Sequence, residues 1–322
     1  MPDTLYIVVP CYNEEAVLPE TKKRLVDKLS GLAADGKVSD QSRILFVDDG
    51  SKDRTWELIE LYSRQEAFVA GVKLSRNRGH QNALLAGLMT AKEYCDMAVS
   101  MDADLQDDIH AVDAMLSDYY GGSDIVYGVR SSRKKDTWFK RVSAQGYYKL
   151  MKLLGVDIVY NHADYRLMSR RALSALSEYK EVNLFLRGIV PLIGFRFSVV
   201  EYERAERFAG ESKYPLKKML AFAFDGITSF SIKPIRLITV LGFLIFLVSL
   251  LMLLYTVASK IFHFAETGWT SLMCSIWMLG GLQILALGVI GEYIGKIYFE
   301  VKNRPKYMID KTAGDVKGEK EL

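Results

Sequence analysis

Two long segments in the C-terminal third of this 322-residue chain contain no charged residue. They cover residues 237–259 and 268–291, and each is longer than the roughly 20 residues that an α-helix needs to cross a bilayer. Residues 260–267 are the short polar break between them. The pattern predicts two membrane-spanning helices, and the alternative is a pair of buried helices in a soluble protein.

Basic residues near these segments favour the membrane prediction and indicate an orientation. The flanking lysines and arginines are Lys213, Lys217, Lys218, Lys233 and Arg236 before the first segment, and Lys296, Lys302, Arg304 and Lys306 after the second. The break between the segments holds one lysine. Because basic residues concentrate on the cytoplasmic side of membrane helices, we expect both ends of the chain in the cytoplasm.

The N-terminus, the cysteines and the net charge agree with that location. Residues 1–4 lack the basic region, apolar core and cleavage site of a signal peptide, so we expect none. Cys11, Cys95 and Cys274 are too few and too scattered for a disulfide framework or a zinc site. The formal net charge is +3, and the basic residues beside the membrane segments suit an anionic lipid surface better than a nucleic acid.

Up to about residue 130, short apolar runs alternate with segments of helical spacing. The predicted strands are 5–9, 44–47, 69–74, 97–101 and 124–127, and the predicted helices are 17–32, 55–62, 83–92 and 109–120. This alternation predicts an α/β fold in which helices wrap a mostly parallel sheet. Ligands of such sheets bind beyond the carboxyl ends of the strands, so the loops there should carry the chemistry.

Those loops are polar, and the one after the fourth strand is acidic. They cover residues 10–15, 48–55, 75–82 and 100–108. The first strand is not followed by G-x-G-x-x-G, and the chain has no G-x-x-x-x-G-K-[ST] phosphate loop. Asp102 and Asp104 alternate across Ala103, so in an extended backbone both carboxylates would leave from one face and converge on a divalent cation. The alternative is a solvated acidic turn that caps the next helix.

Several of these motifs resemble those of a known enzyme family. Val-Pro-Cys-Tyr-Asn-Glu-Glu at 9–15, Val-Asp-Asp-Gly-Ser-Lys-Asp-Arg-Thr at 47–55, Asn-Arg-Gly at 77–79 and Asp-Ala-Asp-Leu-Gln-Asp at 102–107 look like the family 2 glycosyltransferases with a GT-A fold. With residues 164–171, residues 207–214 and the two C-terminal segments, the chain is similar to bacterial polyprenyl-phosphate glycosyltransferases, relatives of dolichol-phosphate mannose synthase. The resemblance covers nearly all of residues 5–310.

The resemblance implies a division of the chain into four parts. Residues 1–212 would form a cytoplasmic, Rossmann-like GT-A catalytic domain with a mostly parallel sheet. Residues 213–234 would form amphipathic helices at the membrane surface, and residues 235–295 two transmembrane helices with a short external loop. Residues 296–322 would be a cytoplasmic tail. The membrane would be the bacterial plasma membrane.

The resemblance also implies roles for individual residues. The nucleotide would be contacted by Pro10, Tyr12, Glu14, Asp48, Asp49 and Asp102. Asp102 and Asp104 would hold Mg²⁺ or Mn²⁺ against its diphosphate. Asp104, Asp164 and Gln106 would be the catalytic residues, although Gln106 could instead serve helix entry. For Asp53 with Thr55, capping of the following helix competes with ligand contact.

Basic residues are the candidates for binding an acceptor phosphate near the membrane. They are Arg130 and Arg133 after the fifth strand, and Arg207 and Lys213 before the membrane segment. The alternative is that these side chains are solvated or attract anionic lipid.

Asp164 occupies the position of the usual base in an inverting transfer. A phosphomonoester acceptor is already mostly a dianion at neutral pH, because its second pKa lies near 6. We therefore expect Asp164 to orient the acceptor, together with Arg166, more than to remove a proton.

The leading hypothesis is an inverting, metal-dependent enzyme that transfers a hexosyl or N-acetylhexosaminyl group, glucose or GlcNAc first among them, from a UDP-sugar to undecaprenyl phosphate. The lipid-linked product would serve cell-envelope glycan modification. One alternative is a processive polysaccharide synthase, but these usually carry Gln-x-x-Arg-Trp, and none of the four tryptophans here follows an arginine. The other alternative is a non-catalytic subunit that binds sugar nucleotides.

The expected partners follow from this hypothesis. They are the UDP-sugar donor, the undecaprenyl phosphate acceptor and membrane lipid, with no nucleic acid. A homo-oligomer, a flippase and a downstream transferase are candidate protein partners.

Overall fold

The protein is described here as a computed structural model, which describes residues 2–131, 162–182, 186–203 and 268–316. Between residues 203 and 268 it also describes residues 235, 238–245, 247–248, 251 and 255. The chain divides into two compact units. The first comprises Met1–Tyr148, Asp157–Tyr214 and Asn303–Leu322, and the second comprises Lys149–Val156 and Pro215–Lys302.

The first unit is built around one eight-stranded sheet. Its strands are β1 (Leu5–Cys11), β2 (Arg43–Asp48), β3 (Val69–Leu74), β4 (Met97–Ser100), β5 (Ile125–Arg130), β6 (His162–Ser169), β7 (Phe197–Tyr202) and β8 (Ile309–Ala313). Its helices are α1 (Leu18–Ala34), α2 (Thr55–Gln65), α3 (His80–Lys92), α4 (Ala111–Tyr120), α5 (Arg170–Ser177) and α6 (Leu186–Leu192). The predicted α/β class is confirmed.

The strand order is β7-β5-β6-β4-β1-β2-β3-β8. Strands β4, β1, β2 and β3 run parallel, as do β5 and β7. Strand β6 lies antiparallel between β4 and β5, and β8 lies antiparallel to β3 at the edge. The loops after β1 to β4 therefore leave the sheet at the same edge.

Burial explains why these segments form a layered α/β structure. Every residue of β1, β2 and β4 is buried, as expected for strands covered on both faces. Helix α1 buries residues at helical spacing, including Leu18, Leu25 and Leu29. Burying each of these leucines contributes roughly 1.5–3 kcal/mol. A Cβ at Gly87 of α3 would lie 2.4 Å from Val8 Cγ1, so the close packing of α3 on the sheet requires glycine there.

The acidic loop differs from its prediction in one respect. Strand β4 ends at Ser100, and the residues after Asp102 form a turn instead of continuing the strand. Ala103 and Asp104 lie within this turn, and Leu105 directly after them has a left-handed φ of 56°. The expectation that Asp102 and Asp104 share one face of an extended backbone was therefore wrong.

The segment after residue 302 was predicted as a tail, but it contains an edge strand. Strand β8 pairs with β3, and Ser75 N donates to Met308 O at 3.0 Å. Beyond it, the Tyr6 hydroxyl donates to Val316 O at 2.8 Å, and Arg43 Nη2 lies 3.2 Å from Asp315 Oδ2. The strand escaped prediction because Ile309–Ala313 is short, mostly exposed and without alternating apolar residues.

The second unit contains α7 (Trp269–Lys302), a helix of 34 residues. Its segment Met278–Lys302 is long and apolar enough to cross a membrane, and it is the one such helix in the part of the chain that the structure describes. Residues 238–245 of the first predicted span are helical, but much of that span lies outside the described residues. Two transmembrane helices thus remain a prediction.

Candidate active site

The loops after β1 and β2 are joined by backbone and side-chain hydrogen bonds. Asn13, with a φ of 55°, donates its backbone N–H to Ser51 Oγ at 3.0 Å and accepts from Lys52 N at 2.9 Å through its side chain. Glu14 N donates to Thr55 Oγ1 at 2.9 Å. These bonds fix the two loops as one surface beside the sheet edge.

Asp53 stabilises that surface from within. Its carboxylate accepts hydrogen bonds from Thr55 N at 3.1 Å, from the Thr55 hydroxyl at 2.6 Å and from Glu15 N at 3.2 Å. Burial would raise the pKa of Asp53, but these bonds outweigh it and lower the pKa. The contacts agree with the capping alternative for this residue.

Asp48 and Asp49 are adjacent in sequence but have different surroundings. Both are buried, and burial raises the pKa of each. Asp49 accepts from Arg78 N at 2.7 Å and Gly79 N at 2.9 Å, so both of its oxygens hold the loop after β3. Asp48 accepts from Ser51 N at 3.1 Å through one oxygen, while its buried Oδ2 has no hydrogen-bond partner among the described residues.

The unpartnered oxygen makes Asp48 the better ligand candidate. A buried acceptor without a donor costs about 1–3 kcal/mol, which an imide N–H or a ribose hydroxyl could offset. Of the other predicted nucleotide contacts, Tyr12 is 40% exposed in the loop after β1, whereas Pro10 is buried within β1 opposite Val47. Glu14 is half-buried, and its backbone N–H is bonded to Thr55 at the end of the β2 loop.

Asp102 and Asp104 lie in the loop after β4. Asp104 Oδ1 accepts from Gln106 N at 3.2 Å, which fixes the turn and places the Gln106 backbone beside the carboxylate. The side chain of Asp102 is 35% exposed. Burial raises the pKa of Asp102, and the negative charges of Asp164 and Asp104 raise it further. Two mutually repelling carboxylates in one loop favour a cation between them.

The donor set suits a hard divalent ion that also binds its substrate. Within the described residues, no group of three His, Cys, Asp or Glu side chains is arranged to hold a metal on its own. Two carboxylates would leave most positions of an octahedral Mg²⁺ or Mn²⁺ for phosphate and water oxygens. The residues present therefore fit a metal that binds together with a diphosphate.

Asp164 on β6 is the centre of a charged cluster. Its Oδ1 accepts from Arg166 Nη2 at 2.9 Å and from Arg187 Nε at 3.2 Å, and its Oδ2 accepts from Arg187 Nη2 at 3.0 Å. Burial alone would raise the pKa of Asp164, but Arg187, His80 and Arg166 outweigh burial and hold the pKa well below its usual range. Asp164 is therefore ionised across the physiological pH range.

His80 connects this cluster to the acidic loop. Its Nε2 lies 3.6 Å from Asp164 Oδ2 and 3.6 Å from Asp102 Oδ1. Burial would lower the pKa of His80, but the nearby carboxylates of Asp164 and Asp102 outweigh burial and raise the pKa. The predicted residues Asp102, Asp104 and Asp164 are thus brought together, with His80 between two of them.

His80 and Arg187 were missed by the sequence analysis. The polar loop at 75–82 contained His80, and its place at the start of α3, beyond the end of β3, was the available signal. Arg187 lies in the short helix α6, far along the chain from the recognised motifs, and no spacing rule connects it to Asp164. Its role follows from tertiary contact alone.

The acceptor-phosphate prediction is only partly covered. Arg133, Arg207 and Lys213 lie outside the described residues. Arg130 is half-buried at the end of β5, opposite Tyr202 of β7.

Asp107, in the loop after β4, is bonded to the same tyrosine. The Tyr202 hydroxyl donates to Asp107 Oδ1 at 2.6 Å. Burial first, and then the charge of Asp102, raise the pKa of Asp107 to about 6, while Arg130 opposes the rise.

Comparison with family models gives two matches along the chain. Residues 6–177 match the model described as glycosyl transferase family 2. Residues 233–297 match the model described as the GtrB C-terminal hairpin.

Curated relatives match over almost their full length. The glycosyltransferase YkoT of Bacillus subtilis (strain 168) is 55% identical over 306 residues, which cover 95% of this chain and 91% of the relative. The SfII prophage-derived bactoprenol glucosyl transferase of Shigella flexneri is 39% identical, covering 95% of this chain and 97% of the relative. Among solved structures, glucosyl-3-phosphoglycerate synthase from Mycobacterium tuberculosis aligns with a TM-score of 0.46 at 20% identity, over 70% of this chain and 76% of that chain.

Proposed function

The chain belongs to glycosyl transferase family 2, and from that premise we propose that this glycosyltransferase moves a hexosyl or N-acetylhexosaminyl group from a UDP-sugar to undecaprenyl phosphate. A relative named for bactoprenol glucosyl transfer, 39% identical over nearly the whole chain, supports a polyprenyl-phosphate acceptor and glucose as the first sugar to test. The observation that carries the proposal is the convergence of Asp102, His80 and Asp164 at the carboxyl ends of the parallel strands.

The donor would bind across the loops after β1, β2 and β4. The unpartnered Oδ2 of Asp48 is available to a uracil or ribose hydrogen, and Tyr12 exposes its ring in the adjacent loop. Asp102 and Asp104 would hold Mg²⁺ or Mn²⁺, which would neutralise charge on the departing diphosphate. Gln106 follows the second carboxylate and would contact the sugar or the acceptor phosphate.

The transfer requires little proton chemistry from the protein. An oxygen of the acceptor phosphate would attack the anomeric carbon, forming a new C–O bond as the bond to the diphosphate breaks on the opposite face. UDP would leave, and the sugar would end with inverted configuration. The acceptor dianion has no proton to lose, and Asp164 is held ionised by Arg187 and Arg166 with their bonds already made. Orientation of the acceptor is therefore the role that we assign to Asp164.

Chain connectivity supports a paired membrane anchor. Strands β7 and β8 belong to the same sheet, and α7 lies between them in sequence. A chain that leaves and re-enters one sheet must cross any membrane an even number of times. If α7 crosses, a second crossing must lie between residues 203 and 268, where the predicted span at 237–259 lies. We propose a bacterial plasma-membrane location with both termini cytoplasmic.

The test is turnover by the purified full chain with undecaprenyl phosphate, Mg²⁺ or Mn²⁺ and a panel of UDP-sugars. We expect one lipid-linked sugar per acceptor, with loss of product when the metal is chelated. Asp102→Asn with Asp104→Asn should lower turnover at least a hundredfold, because the diphosphate charge would no longer be neutralised. Asp27→Asn, at an exposed position of α1, is the matched control and should retain activity.

Other outcomes would identify the competing functions. A polymer extended from the lipid would indicate a processive synthase. UDP binding without turnover of any sugar would indicate a non-catalytic subunit. Full metal-dependent transfer by the double variant would remove Asp102 and Asp104 from the site. Association with itself, with a flippase or with a downstream transferase could be tested by co-purification.

A further inference from the structure

A buried hydroxyl group of α1 contacts the acidic loop between its two candidate metal ligands. Thr21 is 0% exposed, and its hydroxyl lies 2.8 Å from the carbonyl oxygen of Ala103. Ala103 is the residue between Asp102 and Asp104. The same hydroxyl lies 3.1 Å from Val17 O, so its single hydrogen is shared between the start of α1 and the loop. Thr21 therefore joins the acidic loop to α1.

Two buried tyrosines hold the other end of the loop. The Tyr165 hydroxyl of β6 donates to Asp108 O at 2.9 Å, and the Tyr202 hydroxyl of β7 donates to Asp107 Oδ1 at 2.6 Å. The two rings pack edge to face with their centroids 5.2 Å apart, and the two residues are 0% and 3% exposed. The sheet thus fixes the position of both hydroxyl groups.

These contacts act against the repulsion between the carboxylates of the loop. Burial raises the pKa of Asp102, and the negative charge of Asp104 raises it further, so the two charges oppose each other. A loop held only by its own turn would move these carboxylates apart in the absence of a cation. Each of the three hydroxyl groups has one hydrogen, and none of them donates it to Asp102 or Asp104. The donors therefore restrain the loop without occupying the oxygens that a cation needs.

We infer that Thr21, Tyr165 and Tyr202 are positioning residues that hold Asp102 and Asp104 in place for the divalent cation. A restraint that is built during folding lowers the conformational entropy that cation binding must remove. The inference deepens the proposed function and rests on its assignment of a metal to this loop. Thr21 and Tyr202 lie outside every motif that was recognised in the sequence.

The test is the affinity of the full chain for Mn²⁺ at saturating UDP, measured from the paramagnetic resonance of the free ion after subtraction of the Mn²⁺ bound by free UDP. This measurement needs no turnover, and a lower stability does not alter it while the protein stays folded. Thr21→Val, Tyr165→Phe and Tyr202→Phe each remove one hydroxyl group and keep a similar shape. We expect each variant to weaken Mn²⁺ binding about threefold to tenfold, because part of the binding free energy would be used to close a relaxed loop.

Rescue and control variants separate positioning from a general loss of packing. Thr21→Ser keeps the hydroxyl group and should bind Mn²⁺ nearly as tightly as the wild type. Thr90→Val removes the bond from the Thr90 hydroxyl to Ala86 O at 2.8 Å, and Tyr119→Phe removes the bond from the Tyr119 hydroxyl to Asp3 at 3.0 Å. Both of these bonds lie outside the acidic loop, so the two control variants should keep the wild-type affinity.

The outcomes distinguish this inference from the proposed function. If the wild type makes no lipid-linked product but the three loop variants lose Mn²⁺ affinity, the inference holds and the acceptor assignment fails. If the wild type transfers the sugar and every folded loop variant binds Mn²⁺ as tightly as the wild type, the inference is overturned and the proposed function stands. An equal loss in the two control variants would also overturn it. If one loop variant does not fold, the other two decide.

Discussion

Asp164 shows how its neighbours, more than its residue type, decide what a carboxylate can do. A general base works best with a pKa near the operating pH, whereas the pKa of Asp164 lies well below its usual range. Burial pushes the pKa upward, and two arginines with His80 more than reverse that effect. The side chain is thus a permanent anion, suited to holding cations in place.

Asp164→Asn should lower kcat by roughly ten- to a hundredfold and leave the pH optimum unchanged. The folded-state pKa is depressed, so the charge is present at every pH above the usual range of an aspartate and is lost only in acid well below it. No limb of the pH–rate profile between pH 6 and 9 should therefore arise from this residue. Profiles of kcat for the two proteins check this, and near-complete loss with recovery at alkaline pH would instead identify a base.

Individual residues were predicted from sequence with uneven success. The motif around Asp48 and Asp49 was readable, but only the structure shows that Asp49 is used by two backbone N–H groups while Asp48 keeps an unpartnered oxygen. Sequence spacing carries no information on such bonds, because they join loops that are far apart along the chain. The contact of Arg187 with Asp164 was missed for the same reason.

At the scale of elements, β8 closes an edge that the catalytic sheet would otherwise expose. It covers β3, and β3 leads into the loop that carries His80. Gly314, just beyond β8, has a φ of 70°, and a Cβ there would lie 2.8 Å from Val69 O, so the turn after the strand requires glycine. The edge strand is therefore fitted to its position and is not a loose tail.

Removal of residues 308–322 should destabilise the first unit and promote self-association. The buried Arg43 would lose its partner Asp315, Tyr6 would lose an acceptor, and β3 would expose unpaired backbone groups. Each hydrogen bond lost in this way typically contributes about 0.5–1.5 kcal/mol. The unfolding temperature and the elution volume in gel filtration would report the two effects.

A shorter truncation controls for chain length. Removal of residues 317–322 leaves β8, Asp315 and Val316 in place, so it should behave as the wild type. Equal unfolding temperatures for the two truncated proteins would show that β8 contributes nothing to stability.

The elements themselves were the most predictable level. The predicted strands and helices of the first 130 residues all occur, with ends displaced by a few residues. Apolar periodicity reports burial, and the strands of this sheet are buried on both faces. The acidic turn and β8 failed for the opposite reason, since neither is specified by an apolar pattern.

For the whole molecule, the proposed two-span anchor predicts which side of the membrane each segment faces. The described part of the chain contains one helix that could span a bilayer. Because β7 and β8 belong to the same sheet, the chain between them must cross a membrane an even number of times. Thr267→Cys, placed between the two predicted spans, should therefore react with a membrane-impermeant maleimide applied to intact cells.

A cysteine on the catalytic side is the matched control. Lys23→Cys lies at an exposed position of α1 and should react only after the cells are opened. The native Cys11 and Cys95 are both buried and should contribute little background, and Cys274→Ser in both variants removes the third native cysteine. Protection of the residue 267 cysteine in intact cells would exclude the two-span topology.

The position of β8 in the sequence also sets an order of events during biosynthesis. At 5–20 residues per second, about 10–50 s separate the synthesis of Leu74 from that of Ile309, and the proposed membrane segment is synthesised in between. During this interval, the edge of β3 that later pairs with β8 has no partner strand. Completion of the catalytic sheet is therefore a late step that follows synthesis of the proposed membrane anchor, so a ribosome that stalls within that segment leaves an enzyme with an unfinished sheet.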